Sequence, residues 1–141
     1  MVGHVGRRPG GQPVTDLHLD THVVVWLFAG EHDRLPEDLR QRLENTPLRV
    51  SPMVRLELAY LHEIGRLTVP ASPMLAELER SIGLTEDTTR FSTVAHAAEA
   101  QTWTRDPFDR VIAAQALVSF ATLVTRDRNI RTALGQHAIW D

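Results

Sequence analysis

The sequence has no cysteine. Disulfides, zinc–thiolate centres and thiol nucleophiles are therefore excluded. The missing thiols fit a reducing cytoplasm, the compartment expected for this chain. Lysine is absent as well, so all 15 basic residues are arginine. Codon bias in a GC-rich genome accounts for this; so does a demand for bidentate phosphate binding, which arginine meets better than lysine. The two explanations are compatible. No apolar run approaches the roughly 20 residues of a membrane helix, so no membrane association is expected. The net charge is −3, and no global positive field advertises nucleic acid binding.

What is present suits one soluble domain. The chain has 141 residues, 43% hydrophobic and 23% charged, enough to bury a real core. Residues 1–15 carry glycines and prolines but no apolar segment of the kind a secretory signal needs, and are expected to form a flexible lead-in. The domain is then 16–141. Within it, Asp16–Asp20 reads as a strand. Thr21 reads as the cap of a helix that Gly30 ends. A polar-faced helix over Pro36–Asn45 and a strand over Leu48–Ser51 follow, with Ser51 and Pro52 opening the next helix. Ser72–Pro73 repeats that signal. A short strand falls within Gly83–Asp87, and helices over Ser92–Trp103 and from Asp106–Pro107 onward. Ala121–Thr125 is a β-branched strand, "DRNIRTAL" a short helix and "HAIW" a last strand. Short strands alternating with helices imply βαβ units and a mainly parallel sheet. The fold class is α/β.

One stretch contains a charge in an unexpected place. In "SPMVRLELAYLHEIG" the apolar residues Met53, Val54, Tyr60, Leu61 and Ile64 form a helical stripe. Glu57 falls in its middle, while Arg55, His62 and Glu63 lie outside. A carboxylate on a core-facing stripe is costly without compensation. A neighbouring arginine is the plain remedy, and a bound cation is the other.

Three more acids occupy related places. Asp20 closes the first strand, Asp127 lies just past "ATLV", and Asp109 opens the helix after Asp106–Pro107. Singly, Asp20 and Asp127 suit helix caps, and Asp109 suits the positive end of a helix. Together they are expected at one sheet edge with Glu57, beyond the carboxyl ends of the strands, where such sheets bind ligands. Clustered carboxylates repel one another, and divalent cations that prefer oxygen ligands, Mg²⁺ or Mn²⁺, relieve the repulsion. Such a site suits phosphodiester hydrolysis with two metal ions. Arg126, Arg128 and Arg131 flank Asp127 and are candidate RNA contacts; Arg110 is placed to orient a carboxylate or touch phosphate. His18 and His22 flank Asp20, but the helix start at Thr21 breaks any shared face, and both are expected to be partly exposed bystanders.

"LDTHVVVWLFAG", "SPMVRLELAYLHEIGRL" and "DPFDRVIAAQALVSFATLVTRDRNI" resemble, in order and spacing, the blocks of PIN-domain ribonucleases, specifically the VapC-type toxins of toxin–antitoxin pairs. The resemblance runs from about Leu17 to the C-terminus. It implies a three-layer α/β/α sandwich and a Mg²⁺- or Mn²⁺-dependent endoribonuclease using two ions. Asp20, Glu57, Asp109 and Asp127 match the catalytic and metal-binding acids. Thr125 matches a supporting position, Asn129 is placed to assist the second metal, and Asp106 is assigned to capping, with a metal-side role as its alternative. The resemblance also implies a protein antitoxin that inserts a segment into the acidic groove, and a homodimer. Candidate surfaces for the latter are the helices between Pro36 and Gly83, with Trp26, Leu61 and Leu67. The alternatives are a silent protein-binding module of the same fold and a phosphotransfer receiver; a receiver wants a late lysine, which this chain lacks.

Overall fold

Leu17–Leu19 (β1) is the central strand of a five-stranded sheet in a computed structural model that describes residues 15–141. The expected lead-in thus lies almost wholly outside the described residues. The elements that follow β1 are α1 (Thr21–Phe28), α2 (Glu37–Glu44), β2 (Leu48–Val50), α3 (Pro52–Glu63) and α4 (Ala71–Ile82). Then come β3 (Thr85–Glu86), α5 (Phe91–Ala98), α6 (Pro107–Val118), β4 (Thr122–Val124), α7 (Arg128–Leu134) and β5 (Ala138–Ile139). Among the described residues no helix is long and apolar enough to cross a membrane.

The strand order is β3-β2-β1-β4-β5, and every neighbouring pair is parallel. Parallel strands need cover on both faces, and Leu17, Leu19, Val50, Leu123 and Val124 are almost wholly buried. The chain steps outward from β1 to β3, then returns to β4 on the other side of β1 and continues outward to β5. Right-handed crossovers put the first four helices on one face and the last three on the other. The direction of winding reverses between β1 and β4. A crevice opens beyond the carboxyl ends at such a reversal, and Asp20 and Thr125 follow immediately after those two strands.

Several local expectations hold. Ser51 caps α3 by accepting from the Met53 N–H at 3.1 Å, with Pro52 in the first turn. α6 is buried at all six positions from Val111 to Ala116. Others shift. Asp20, not Thr21, caps α1, its carboxylate accepting from the Thr21 N–H at 2.8 Å. α4 begins at Ala71, so Ser72–Pro73 sits inside its first turn. Proline is tolerated there because first-turn N–H groups lack helical partners. The Ser72 hydroxyl instead accepts from Arg55. α5 stops at Ala98, short of Trp103.

The stripe on α3 also changes. Val54 and Leu58 are its buried residues, while Tyr60 and Ile64 are about half exposed, at 48% and 49%. At 100° per residue the core face, centred between Val54 and Leu58, is turned by about 120° from the stripe that Met53, Tyr60 and Ile64 suggested. Glu57 therefore sits on the flank of the buried face, half-buried, rather than at its centre.

A buried polar network fixes the far side of the sheet. Asp87, just past β3, accepts from the Thr89 N–H at 2.8 Å, Gln115 Nε2 at 3.0 Å and the Ser119 hydroxyl at 2.8 Å. Ser51 in turn donates to Gln115 Oε1 at 2.8 Å. His18 Nε2 lies 3.2 Å from Asp87 Oδ2, though without hydrogen-bond alignment. Burial works against the Asp87 charge, yet the donors around it hold its carboxyl well below the usual carboxylate range. Burial also lowers the His18 pKa, against the pull of Asp87.

Asp87→Ala strands the Gln115 amide and the Ser119 hydroxyl and should cost about 3 kcal/mol by denaturant titration; a cost under about 0.5 kcal/mol would show that the network is idle. At the end of α6, Phe120 N–H bonds Leu117 O and Ala121 N–H bonds Ala116 O, with Phe120 at φ 54° and 89% exposed. This is a Schellman end, where glycine is favoured; α3 ends the same way on Gly65. Phe120→Gly should relieve the left-handed strain and raise stability by about 0.5–1 kcal/mol, read as a higher midpoint in the same titration.

Candidate metal centre

Asp20 is held by three hydrogen bonds, from α1 and from the end of β4. Its backbone N–H bonds Val124 O on β4 at 3.0 Å. One carboxylate oxygen accepts from Thr21 N–H, and the other accepts from the Thr125 hydroxyl at 2.7 Å. Thr125 is fully buried and also accepts from the Asp127 N–H at 3.0 Å. One hydroxyl thus ties the acid after β1 to the acid after β4, and the supporting role expected for Thr125 has a physical form. Asp127 caps α7 through Ile130 N–H at 3.1 Å and is exposed.

Glu57 reaches the same place from α3. The Thr21 hydroxyl donates to its Oε1 at 2.5 Å. Burial raises its pKa, the Thr21 bond opposes this, and the charges of Asp20 and Asp106 add to the rise. The arginine partner that would have neutralised it is not there: Arg55 pairs with Glu86 at 2.8 Å. Asp109, in the first turn of α6, lies beside Asp106, which caps that helix by accepting from Phe108 N–H at 2.8 Å and Asp109 N–H at 3.3 Å. Burial, then the charges of Asp106, Asp20, Glu57 and Asp127, push the Asp109 carboxyl up to about 7.

Asp20, Glu57, Asp109 and Asp127 all line one open cleft of about 600 Å³, together with Asp106. Its other walls are Thr21, His22, Val25, Trp26, Leu61, Arg66 and Leu67. Two other surface depressions, one beside Arg55 and Glu86 and one beside Arg40 and Glu44, hold no comparable set of acids. The donor set fits a hard divalent cation, because it consists of carboxylate oxygens with unrelieved mutual repulsion. Among the described residues no three acids or histidines converge tightly enough to enclose an ion. Binding would therefore require the side chains to draw inward.

Other expected residues divide. Arg110 donates to Thr104 O at 2.9 Å and anchors the loop before α6 rather than a carboxylate. Asn129 and Arg128 are exposed and do not line the cleft. Arg131 reaches Arg126 O at 3.2 Å, bracing the loop. Arg126 projects over Trp26, its guanidinium carbon 5.9 Å from the ring centre. Trp26, Leu61 and Leu67, expected on a dimer surface, are cleft walls instead.

Neither histidine is a bystander. His18 is buried in β1 on the Asp87 side. His22 Nε2 accepts from the Arg126 N–H at 2.9 Å, which leaves the ring proton on Nδ1, 3.5 Å from Asp20 Oδ2. Burial lowers the His22 pKa, favouring this neutral form against the attraction of Asp20. Arg66 was missed by sequence reasoning. Gly65 at φ 82° terminates α3 and turns the chain so that Arg66 borders the acids. An arginine directly after a glycine helix stop was the available signal.

The PIN-domain family model matches residues 17–133, which spans every one of these site residues. The chain belongs to the PIN-domain family. A relative, ribonuclease VapC22 of Mycobacterium tuberculosis (strain ATCC 25618 / H37Rv), is 35% identical over 127 residues, covering 84% of this chain and 92% of its own. Among solved structures, VapBC2 from Rickettsia felis, bound to a DNA fragment from their promoter, matches with a TM-score of 0.61. That match covers 89% of this chain and 98% of the other at 19% identity, and it speaks to the PIN fold alone.

The raised Asp109 pKa has a signed consequence. In the folded state its proton is held up to about pH 7, whereas unfolded aspartate loses it near pH 4. Folding without metal therefore loses stability as pH rises from about 4 through 7. Asp109→Asn should raise the melting temperature of metal-free protein at pH 8 and change it little at pH 4. An equal shift at both pH values would show that the carboxyl is not strained.

Proposed function

We propose that this protein is a divalent-metal-dependent endoribonuclease and the toxin of a toxin–antitoxin pair. The observation that carries the reading is the convergence of Asp20, Glu57, Asp109 and Asp127 from four separate segments on one cleft at the winding reversal. Family membership and the ribonuclease VapC22 relative support it. Asp20, Glu57 and Asp109 would hold one Mg²⁺ or Mn²⁺, and Asp127 would support a second. Such ions, when bound, supply Lewis acidity for an attacking water and a leaving oxygen.

The chain's own residues then have distinct tasks. Thr125 and Thr21 fix the carboxylates of Asp20 and Glu57 so that their oxygens face the cleft. His22 braces Asp20 from the side and holds the loop that carries Asp127. Arg66 offers a cation to an RNA phosphate entering between the acids. The expected products carry a 3′-hydroxyl and a 5′-phosphate. The antitoxin reading rests on the family and its VapC relative; an arginine-bearing segment would find complementary charge in the cleft. For the homodimer, Leu56, Tyr60 and Ile64 recur every four residues on the exposed face of α3, and Tyr60 packs on Phe108 with ring centres 5.9 Å apart. That face replaces Trp26, Leu61 and Leu67 as the proposed contact.

The test uses purified protein and single-stranded RNA. Mn²⁺ should give cleavage, EDTA should abolish it, and Asp20→Asn and Glu57→Gln should each lower the rate by at least about 100-fold, the scale of losing a positioned catalytic group. Equal cleavage under all these conditions would contradict the metal-dependent reading. Thermal melting of each variant separates lost chemistry from lost fold.

A further inference from the structure

Next to the acidic cleft lies a second, shallower depression of about 350 Å³, lined by His22, Trp26, Arg126 and Asp127. Three of these residues, His22, Trp26 and Asp127, also line the cleft, so the two depressions adjoin. The walls of the depression are aromatic and cationic. The His22 and Trp26 rings lie 4.9 Å apart at 56°, and Trp140 packs edge-on to Trp26 at 5.9 Å. Arg34 and Arg126 place guanidinium carbons 5.1 Å and 5.9 Å from the Trp26 ring centre. Arg34 is paired with Glu31. Among the described residues Arg126 makes no ion pair and no side-chain hydrogen bond, and neither Trp26 nor Trp140 donates its indole N–H to an acceptor.

Core packing alone does not explain this arrangement. Trp26 is only partly buried, on an open wall beside a cluster of acids, in a chain with few aromatic residues. Indole faces, an imidazole and a free guanidinium plane are the groups that stack on unpaired nucleobases. An indole N–H adds a donor for a base edge. Its position beside Asp127 sets the register, since a nucleotide whose phosphate lies among the acids has its neighbour's base within reach of this wall.

We infer that the depression formed by His22, Trp26 and Arg126 is a nucleobase subsite, which holds one unpaired base of a single-stranded RNA next to the phosphate being cut. The inference rests on the nuclease reading and adds to it a specificity-determining wall. Stacking, rather than base-edge readout, dominates the contact, so larger purine rings are held better than pyrimidines.

The experiment uses the full chain with Mn²⁺ and a pool of randomised 12-nucleotide single-stranded RNAs. Sequencing of the new 5′ ends gives the base preference at each position around the cut, and one efficiently cut oligonucleotide is then remade with an abasic site at each flanking position. For the wild type, the abasic site at one flanking nucleotide should lower kcat/KM roughly tenfold, the scale of one lost base–aromatic stack. In Trp26→Leu and in Arg126→Ala that penalty should shrink to under about twofold, while abasic penalties elsewhere persist. Arg126 is exposed, and Arg126→Ala keeps its backbone bond to His22, so this variant stays informative if Trp26→Leu melts early. If both variants retain the full wild-type penalty, the subsite is wrong while the nuclease reading stands, and the depression is left to a protein segment. If the wild type cuts no RNA in the pool under conditions where it binds Mn²⁺, the nuclease reading itself fails and takes the subsite with it.

Discussion

Mutual repulsion among carboxylates is the constraint around which this fold is arranged. Asp20, Glu57, Asp109 and Asp127, with Asp106 alongside, share one cleft, and among the described residues no arginine forms an ion pair with any of them, although Arg66 borders the cleft. Like charges in a partly buried space raise one another's pKa values and oppose folding. Asp109 shows this most: burial first, and then the charges of Asp106, Asp20, Glu57 and Asp127, push its carboxyl up to about 7. The surrounding structure answers by distributing donors unevenly. Asp20 receives a hydroxyl and a backbone N–H, Glu57 receives one hydroxyl, and the Asp109 carboxylate receives none among the described residues. A site that stores repulsion in the metal-free state gains the most from a cation.

The support for that site is built at two depths. Near the cleft, Thr125 and His22 each touch both the Asp20 carboxylate and the β4–α7 loop, so the acids on either side of the winding reversal move as a unit. Beneath, the Asp87 network joins the ends of β2 and β3 to α6, the helix that carries Asp109. Its carboxylate is satisfied by three donors and stays ionised, which is the opposite outcome to Asp109 from the same residue type. Environment, not identity, separates the structural aspartate from the strained one.

Much of this was legible in the sequence, and the residues show why. The strand–helix alternation and the β-branched "ATLVT" gave the parallel sheet, because strands buried on both faces need that composition. Asp20, Asp109 and Asp127 could be placed because each follows a strand or opens a helix, where position in the chain fixes position in space; Glu57 stood out as a charge within an apolar helical stripe. The α3 stripe was misread: Leu58, adjacent to Glu57, faces the core, while Tyr60 and Ile64 do not. Apolar residues on a solvent-facing helix side imitate a core stripe, and periodicity alone cannot tell them apart. Long-range polar pairings such as His22 with Arg126, 104 residues apart, leave no local pattern to read. Asp87 escaped notice for the same reason, its partners Gln115 and Ser119 lying far along the chain; Arg66 did have a local signal, the glycine before it.

On the proposed function, the acids repel one another until a divalent cation neutralises them. Calorimetric titration of Mn²⁺ into the protein at pH 6.5, in two buffers of different ionisation enthalpy, tests it directly. The expected result is binding with release of protons, chiefly from Asp109, so that the apparent enthalpy differs between buffers, and a loss of most of that difference in Asp109→Asn. Binding with no proton release, or no binding at millimolar Mn²⁺, would contradict it.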